Sequence, residues 1–219
     1  MLLFFSEYMQ AQDVHYSQFD KTKSLINPAL IAIQNEDYEL QLQRRSQWAR
    51  VTKPFKTLSL SFNTKDFYKG LSLGGTILND VAGDSHFSTK GLSLSLAKSV
   101  YSKDNLLAIG LQAGLYQRSV NYDDLIFLEN ELLQNIKFTF FDIGLGALNY
   151  KKLDRNSSLL LGASLFHLNK PKQSLTSNDK VVLNSKYILH SIYYTKISSK
   201  INISPGFYFS SQNQDKEFI

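Results

Sequence analysis

Residues Lys90 to Ala97 read Lys-Gly-Leu-Ser-Leu-Ser-Leu-Ala, and the same two-residue beat runs through most of the chain. Leu58, Leu60 and Phe62 alternate with Thr57, Ser59, Ser61 and Asn63. Leu107, Ile109, Leu111, Ala113 and Leu115 oppose Ala108, Gly110, Gln112, Gly114 and Tyr116. A period of two is that of a strand, so each segment has one apolar face and one small or polar face. Many such strands in series, with no amphipathic helix between them, predict one continuous antiparallel sheet. The open question is whether its apolar face meets a protein core or lipid.

Strand length and loop parity favour lipid. The alternation predicts strands over 38–47, 56–66, 68–79, 88–101, 105–121, 137–151, 156–168, 186–197 and 200–212, each end uncertain by about 3 residues. A soluble strand is typically about 5–6 residues long, whereas a tilted membrane strand needs about 9–11. Short turns are expected after the second, fourth, sixth and eighth strands, among them 65–69, 102–105 and 195–200. Longer loops are expected at 80–87, 122–136 and 169–185, after the third, fifth and seventh. Short turns on one side and long loops on the other are the habit of outer-membrane barrels. A soluble sandwich has no reason to sort its loops in this way.

Composition excludes some functions. The 12 Tyr and 15 Phe suit aromatic girdles at membrane interfaces, and equally a packed β-core. No apolar run approaches the about 20 residues of a spanning helix. The absence of cysteine removes disulfides and thiol chemistry. The net charge of +5 comes from scattered Lys and Arg, without a basic stripe interleaved with aromatics, so nucleic acid is not an expected partner.

No active site is legible. His15, His86, His167 and His190 lack metal-ligand spacing. Gly70-Leu-Ser-Leu-Gly74 fits a strand and not a nucleophile elbow. Asp80 and Asp84 flank Gly83, a carboxylate set too sparse for calcium. Gly74, Gly75, Gly110 and Gly114 sit inside strands, where glycine permits curvature or close backbone approach. Asp142 is predicted to face inward, at low cost if the lumen is wet. No cofactor is expected, and the chain is not expected to be an enzyme.

The N-terminal third carries a further pattern. Met1 to Ala11 looks like the back half of a secretory signal, with cleavage after Ala11. Residues 12–36 read as an N-terminal arm or short plug with a turn at Asn27-Pro28, and 37–219 as the barrel. The segment 122–136 reads as a loop packed on the barrel end, with a short helix as the other reading.

An ordered set of motifs resembles the PorP/SprF family of outer-membrane proteins of the type IX secretion and gliding machinery of Bacteroidota. It runs Gln12-Asp-Val-His-Tyr-Ser-Gln18-Phe19, Leu25-Ile-Asn27-Pro28-Ala29-Leu30, Arg44-Arg45-Ser-Gln-Trp48 and Pro54-Phe-Lys-Thr57. It continues with Asn79-Asp80-Val-Ala-Gly83-Asp84, Gly110 to Ser119 containing Arg118, and Gly162 to Pro171 containing His167 and Asn169. Tyr187 to His190 and Ile203 to Pro205 also fit, while Val14 stands where the family commonly has Pro. The resemblance implies a non-enzymatic outer-membrane barrel, exported through the Sec pathway, that helps secrete or anchor surface proteins. Its implied partners are outer-membrane lipid, other type IX secretion subunits and the C-terminal sorting domain of a secreted surface protein. It also implies several strands beyond the about nine legible here, so the barrel is expected to be incomplete, and Lys216 to Ile219 is not expected to form a strand.

For the signature residues, Asn27-Pro28 is expected to fix the arm in a turn. Trp48 suits an interfacial anchor, and Arg44 or Arg45 is expected to reach into the lumen toward Asp142 or a loop carboxylate. Ordinary barrel architecture and partner binding both remain open for these positions. Two other functions compete. A diffusion porin would need an inward face lined with charge, whereas these faces are mostly Ser, Gly and Thr. A soluble all-β binding domain would need shorter strands and unsorted loops.

Overall fold

The computed structural model describes residues 22–34, 36–47, 54–82, 87–121, 135–173 and 181–219. Eleven strands form one antiparallel sheet: β1 (Tyr38–Gln47), β2 (Phe55–Tyr68), β3 (Leu71–Ala82), β4 (Phe87–Ser102), β5 (Asn105–Val120), β6 (Ile136–Lys152), β7 (Ser157–Phe166), β8 (Lys186–Lys196), β9 (Asn202–Ile203), β10 (Gly206–Gln212) and β11 (Asp215–Phe218). Neighbours in sequence are neighbours in the sheet from β1 to β8, followed by β10 and β11, with β9 also on β8. No ladder joins β1 to β11 among the described residues, so the sheet is open.

The sheet is inside-out relative to a soluble protein. Ser72, Ser93 and Gln112 on the inner face are 0%, 3% and 4% exposed, while Leu94 and Ile109 on the outer face are 62% and 67% exposed. Leaving each such side chain in water forfeits about 2 kcal/mol. Register turns single residues into a belt: Leu42, Leu60, Ile77, Leu92, Leu115 and Phe141 stand side by side across six strands. Strands β2 to β6 run 12 to 17 residues, enough to cross a membrane and project beyond it.

The expected loop parity holds on one side. Turns at 69–70, 103–104 and 153–156 and the bend at 197–201 all lie at the same end, called here the turn end. The other, loop end differs from expectation in two places. β3 and β4 pair out to Ala82 and Phe87, leaving four residues between them where a long loop was expected. At the same end β10 and β11 are joined by the tight turn Asn213-Gln214, with Asn213 at φ 55°. This turn makes a strand of the C-terminal residues, against expectation. Two-residue hairpins favour Asn at positive φ, and Phe209 and Phe218 close the pair with ring centroids 4.7 Å apart.

The ninth expected strand, 200–212, is interrupted. Ser204-Pro205 separates β9 from β10, because proline has no N–H to give the ladder. The Pro205 carbonyl still accepts from Tyr193 N at 2.9 Å, so the two pieces remain in line. With β11, this split accounts for eleven strands rather than nine.

Candidate functional site

Inside the curved sheet lies a short helical segment: α1 (Lys23–Ile26) followed by a 3-10 turn (Pro28–Ala32). Asn27 starts the turn. Its φ of −159° and ψ of 118° are the extended geometry that a following proline imposes, and its side-chain oxygen accepts from Ala29 N at 2.9 Å. Ile31, Ala29 and Ala32 are fully buried. With Ile26 and Leu30 they pack on inward Leu106, Ala108, Leu148, Leu160, Phe166, Ile188 and Tyr208. The inner face is therefore not uniformly polar: Ser and Thr dominate β2 to β4, whereas β5 to β10 carry apolar residues where the plug rests.

Polar groups fix the plug in one place. The Asn27 amide donates to the carbonyls of Ala147 (3.0 Å) and Ala163 (3.1 Å) and meets His190 Nε2 at 3.2 Å, so its two hydrogens are shared among three acceptors on β6, β7 and β8. Ser24 meets Thr76 at 3.1 Å, Gln112 donates to Ser24 O at 3.0 Å and Ser164 donates to Ile26 O at 2.5 Å. Lys23 pairs with Glu39. Close approach requires glycine at two paired positions, Gly110 and Gly146. A Cβ on Gly110 would stand 2.5 Å from the Pro28 carbonyl carbon, and one on Gly146 would overlap the Asn27 side chain.

Above the plug, at the loop end, the inner wall is charged. Arg45, Thr57, Asp80, Thr89, Arg118 and Phe138 occupy one register row across β1 to β6. Thr57 donates to Asp80 at 2.6 Å, and Arg118 Nε to Thr89 Oγ1 at 3.3 Å. The Arg118 guanidinium lies between the Phe87 and Phe140 rings, 5.3 and 5.6 Å from their centroids, and also donates to Gln173. Arg45, Asp80, Phe87, Lys186, Ser210 and Glu217 border a cavity of about 640 Å³ between β1 to β4 and β8 to β11.

The connection after β7 folds into this mouth. Asp142 does face inward, but it is 6% exposed and paired with His167 Nδ1 at 2.9 Å, so it sits in a closed contact and not in a wet lumen. Its partner is His167 rather than Arg44 or Arg45. Arg44 faces outward, and Arg45 lies on the charged row five strands away. The β6–β7 ladder ends at Leu145 and Leu165, which would strand the backbone of Phe141 and Ile143. Asn169 takes the place of the missing strand: its side chain donates to Phe141 O at 2.6 Å and accepts from Ile143 N at 3.2 Å. Pro171 O accepts from Leu183 N at 2.9 Å and Gln173 N donates to Val181 O at 2.8 Å, doubling the segment back on itself.

The signature positions thus fall in two places. Asn27, Pro28 and Ala29 are in the plug; Arg45, Asp80, Arg118, His167, Asn169 and Pro171 are at the loop end, with half-buried Pro54 just before β2. Gln18, Phe19, Trp48 and Gly83 lie outside the described residues, as do His15, His86, Asp84 and residues 1–11 and 122–134. Sequence reasoning missed the plug's contacts Gln112, Ser164 and His190, and Gln173 at the mouth. Gln112, Ser164 and His190 stood at inward polar positions within the motif segments, and Gln173 was one polar residue in a loop. Among the described residues no three His, Asp or Glu side chains come together as a metal site.

Residues 8–219 match the family model described as type IX secretion system membrane protein PorP/SprF. No curated protein and no solved structure shows a significant match. A family match across nearly the whole chain, on an inside-out antiparallel sheet, establishes that the chain belongs to the PorP/SprF family of type IX secretion membrane proteins.

Proposed function

We propose that this protein is a non-enzymatic outer-membrane component of the type IX secretion and gliding machinery that helps secrete or anchor surface proteins. The family match over residues 8–219 carries this reading. The filled lumen supports it against a diffusion channel, because Ile31, Ala29 and Ala32 occupy the space a solute would need. The charged row and the connection after β7 form the surface offered to partners: other secretion subunits and the C-terminal sorting domain of an exported protein. Arg45, Asp80 and Asn169 are the accessible residues of that surface, buried Arg118, His167 and Pro171 hold its shape, and Asn27, Pro28 and Ala29 seat the plug.

The test is depletion of the protein in its own cells, with surface proteins bearing the sorting domain followed by fractionation. Their retention in the periplasm is expected, and undisturbed export would refute the role. The tagged full chain should fractionate with the outer membrane and require detergent. Sec export with cleavage after Ala11 predicts a mature N-terminus at Gln12, which terminal sequencing reads directly. A steady large conductance of the intact chain in planar bilayers would favour the porin instead.

A further inference from the structure

Register sorts the outward charges by sign. One row above the belt of Leu42, Leu60, Ile77, Leu92, Leu115 and Phe141, the outward positions across β1 to β6 are Arg44, Leu58, Asn79, Lys90, Gln117 and Thr139. The next row holds Ser46, Lys56, Val81, Ser88, Ser119 and Lys137. Arg44, Lys56, Lys90 and Lys137 are all exposed, and none has an ion-pair partner among the described residues. These two rows contain no acid. Of the described carboxylates at this end, Asp80 and Asp142 point inward, and Asp215 and Glu217 stand on β11, away from these two rows. Turn-end charges are mixed, with Asp66, Asp104 and Asp154 among the lysines.

A change from a complete apolar row to a cationic band at the next outward row, two residues along each strand, marks a hydrocarbon–headgroup boundary. At adjacent-strand spacing, the four cations span about 24 Å of wall. A groove of about 510 Å³ crosses the boundary, with Ile77, Leu92 and Leu115 on its apolar side and Asn79, Lys90 and Gln117 on its polar side. We propose that this band is a binding surface for phosphate-bearing lipid of the leaflet on the loop side, with the headgroup phosphate on Lys90 and its neighbouring cations and an acyl chain in the groove. Charge complementarity selects the head, and the apolar row beneath selects an amphiphile over a free anion. The proposal rests on the membrane reading of the sheet and not on a secretion role.

The test uses the full chain in phosphatidylcholine nanodiscs, titrated with diphosphoryl lipid A and, in parallel, with the same lipid after phosphate removal. Tight binding of the first and at least about tenfold weaker binding of the second is expected. Lys90→Gln should weaken the phosphorylated lipid about fivefold, and the quadruple variant of Arg44, Lys56, Lys90 and Lys137 to Gln at least about a hundredfold. Lys103→Gln/Lys151→Gln at the turn end is the control and should bind as the parent does. Heat-modifiable migration in gels reports folding of each variant. Equal affinity for both lipids, unchanged binding by the folded quadruple variant, or full competition by millimolar inorganic phosphate would overturn the proposal. So would binding of an acidic protein at these residues in place of lipid. Failure of the secretion test would leave this result untouched.

Discussion

The two halves of the lumen are built on opposite principles. Toward the turn end, Ile26, Leu30 and Ile31 meet Leu106, Leu148, Leu160 and Ile188 in a dry core, and polar groups such as Gln112 and Ser164 bond to the plug backbone. Toward the loop end, Arg45 and Asp80 border an open cavity, while Arg118 and the Asp142–His167 pair are buried in the wall and under the connection after β7. One region holds the molecule together, and the other is the surface we propose for partners. The same strands serve both, because alternation fixes only which residues face inward and leaves what they meet to be set row by row.

Variants that put a side chain where the plug lies test this division most severely. Gly146→Val should destabilise the protein by about 3 kcal/mol or more, since the new Cβ overlaps Asn27 and the strand cannot give way. A lowered unfolding temperature on heat-modified gels measures it, and planar bilayers should register conductance if the plug leaves the folded sheet. A parent-like variant would mean that the segment is not seated there.

Removing the pair at the mouth comes next. His167→Ala leaves the Asp142 carboxylate buried without that partner, at a cost of about 2–3 kcal/mol. The damage should stay local. Protease cleavage within 167–185 should accelerate while the plug's hydrogen-exchange protection stays as in the parent. Asn27→Ala should cost about 2 kcal/mol through lost capping and lost bridges to β6, β7 and β8, with the reverse pattern of exchange. The double variant of Asn27 and His167 should be additive within about 0.5 kcal/mol, as expected of independent regions. A larger coupling would erase the distinction between core and mouth.

The smallest effect lies outside both halves. Asp154, in the turn between β6 and β7, accepts from the Ser157 hydroxyl at 2.5 Å and from the backbone N–H groups of Asn156 and Ser157. These bonds hold its carboxyl below the ordinary carboxylate range. Because the folded pKa is the depressed one, the turn's tie is fully present above the unfolded pKa of about 3.9. It is lost as pH falls through the lowered folded value. Amide exchange at 153–157 should quicken only in strong acid, and Asp154→Asn should abolish that dependence.

Much of the sheet was legible because its determinants are local. Alternation at Thr57 to Asn63 and at Leu107 to Tyr116 assigns faces without any tertiary knowledge, and turn chemistry locates one end of each hairpin. Residues whose meaning depends on distant partners were opaque. Gly110 read as a site of curvature or close approach, but that the approaching backbone was Pro28 and Ala29 is a long-range fact, and Gly146 gave no such signal. Asn169 showed itself only as part of a motif, since its task arises from a ladder that ends early at Leu165. The C-terminal strand was missed because Asn213 lacks a following glycine, and four residues carry too little periodicity to register.

The Asn27 amide meets acceptors 120, 136 and 163 residues further along the chain. Those bonds cannot form until β6, β7 and β8 have been laid down, yet the segment that makes them precedes every strand of the sheet in the chain. Contacts of such separation make folding slow. The early segment must therefore wait, solvated or chaperoned, and the last strands wrap around it as the wall curves. A plug seated in this way is a closing template as much as a stopper, and its timing sets the rate at which the wall can be completed.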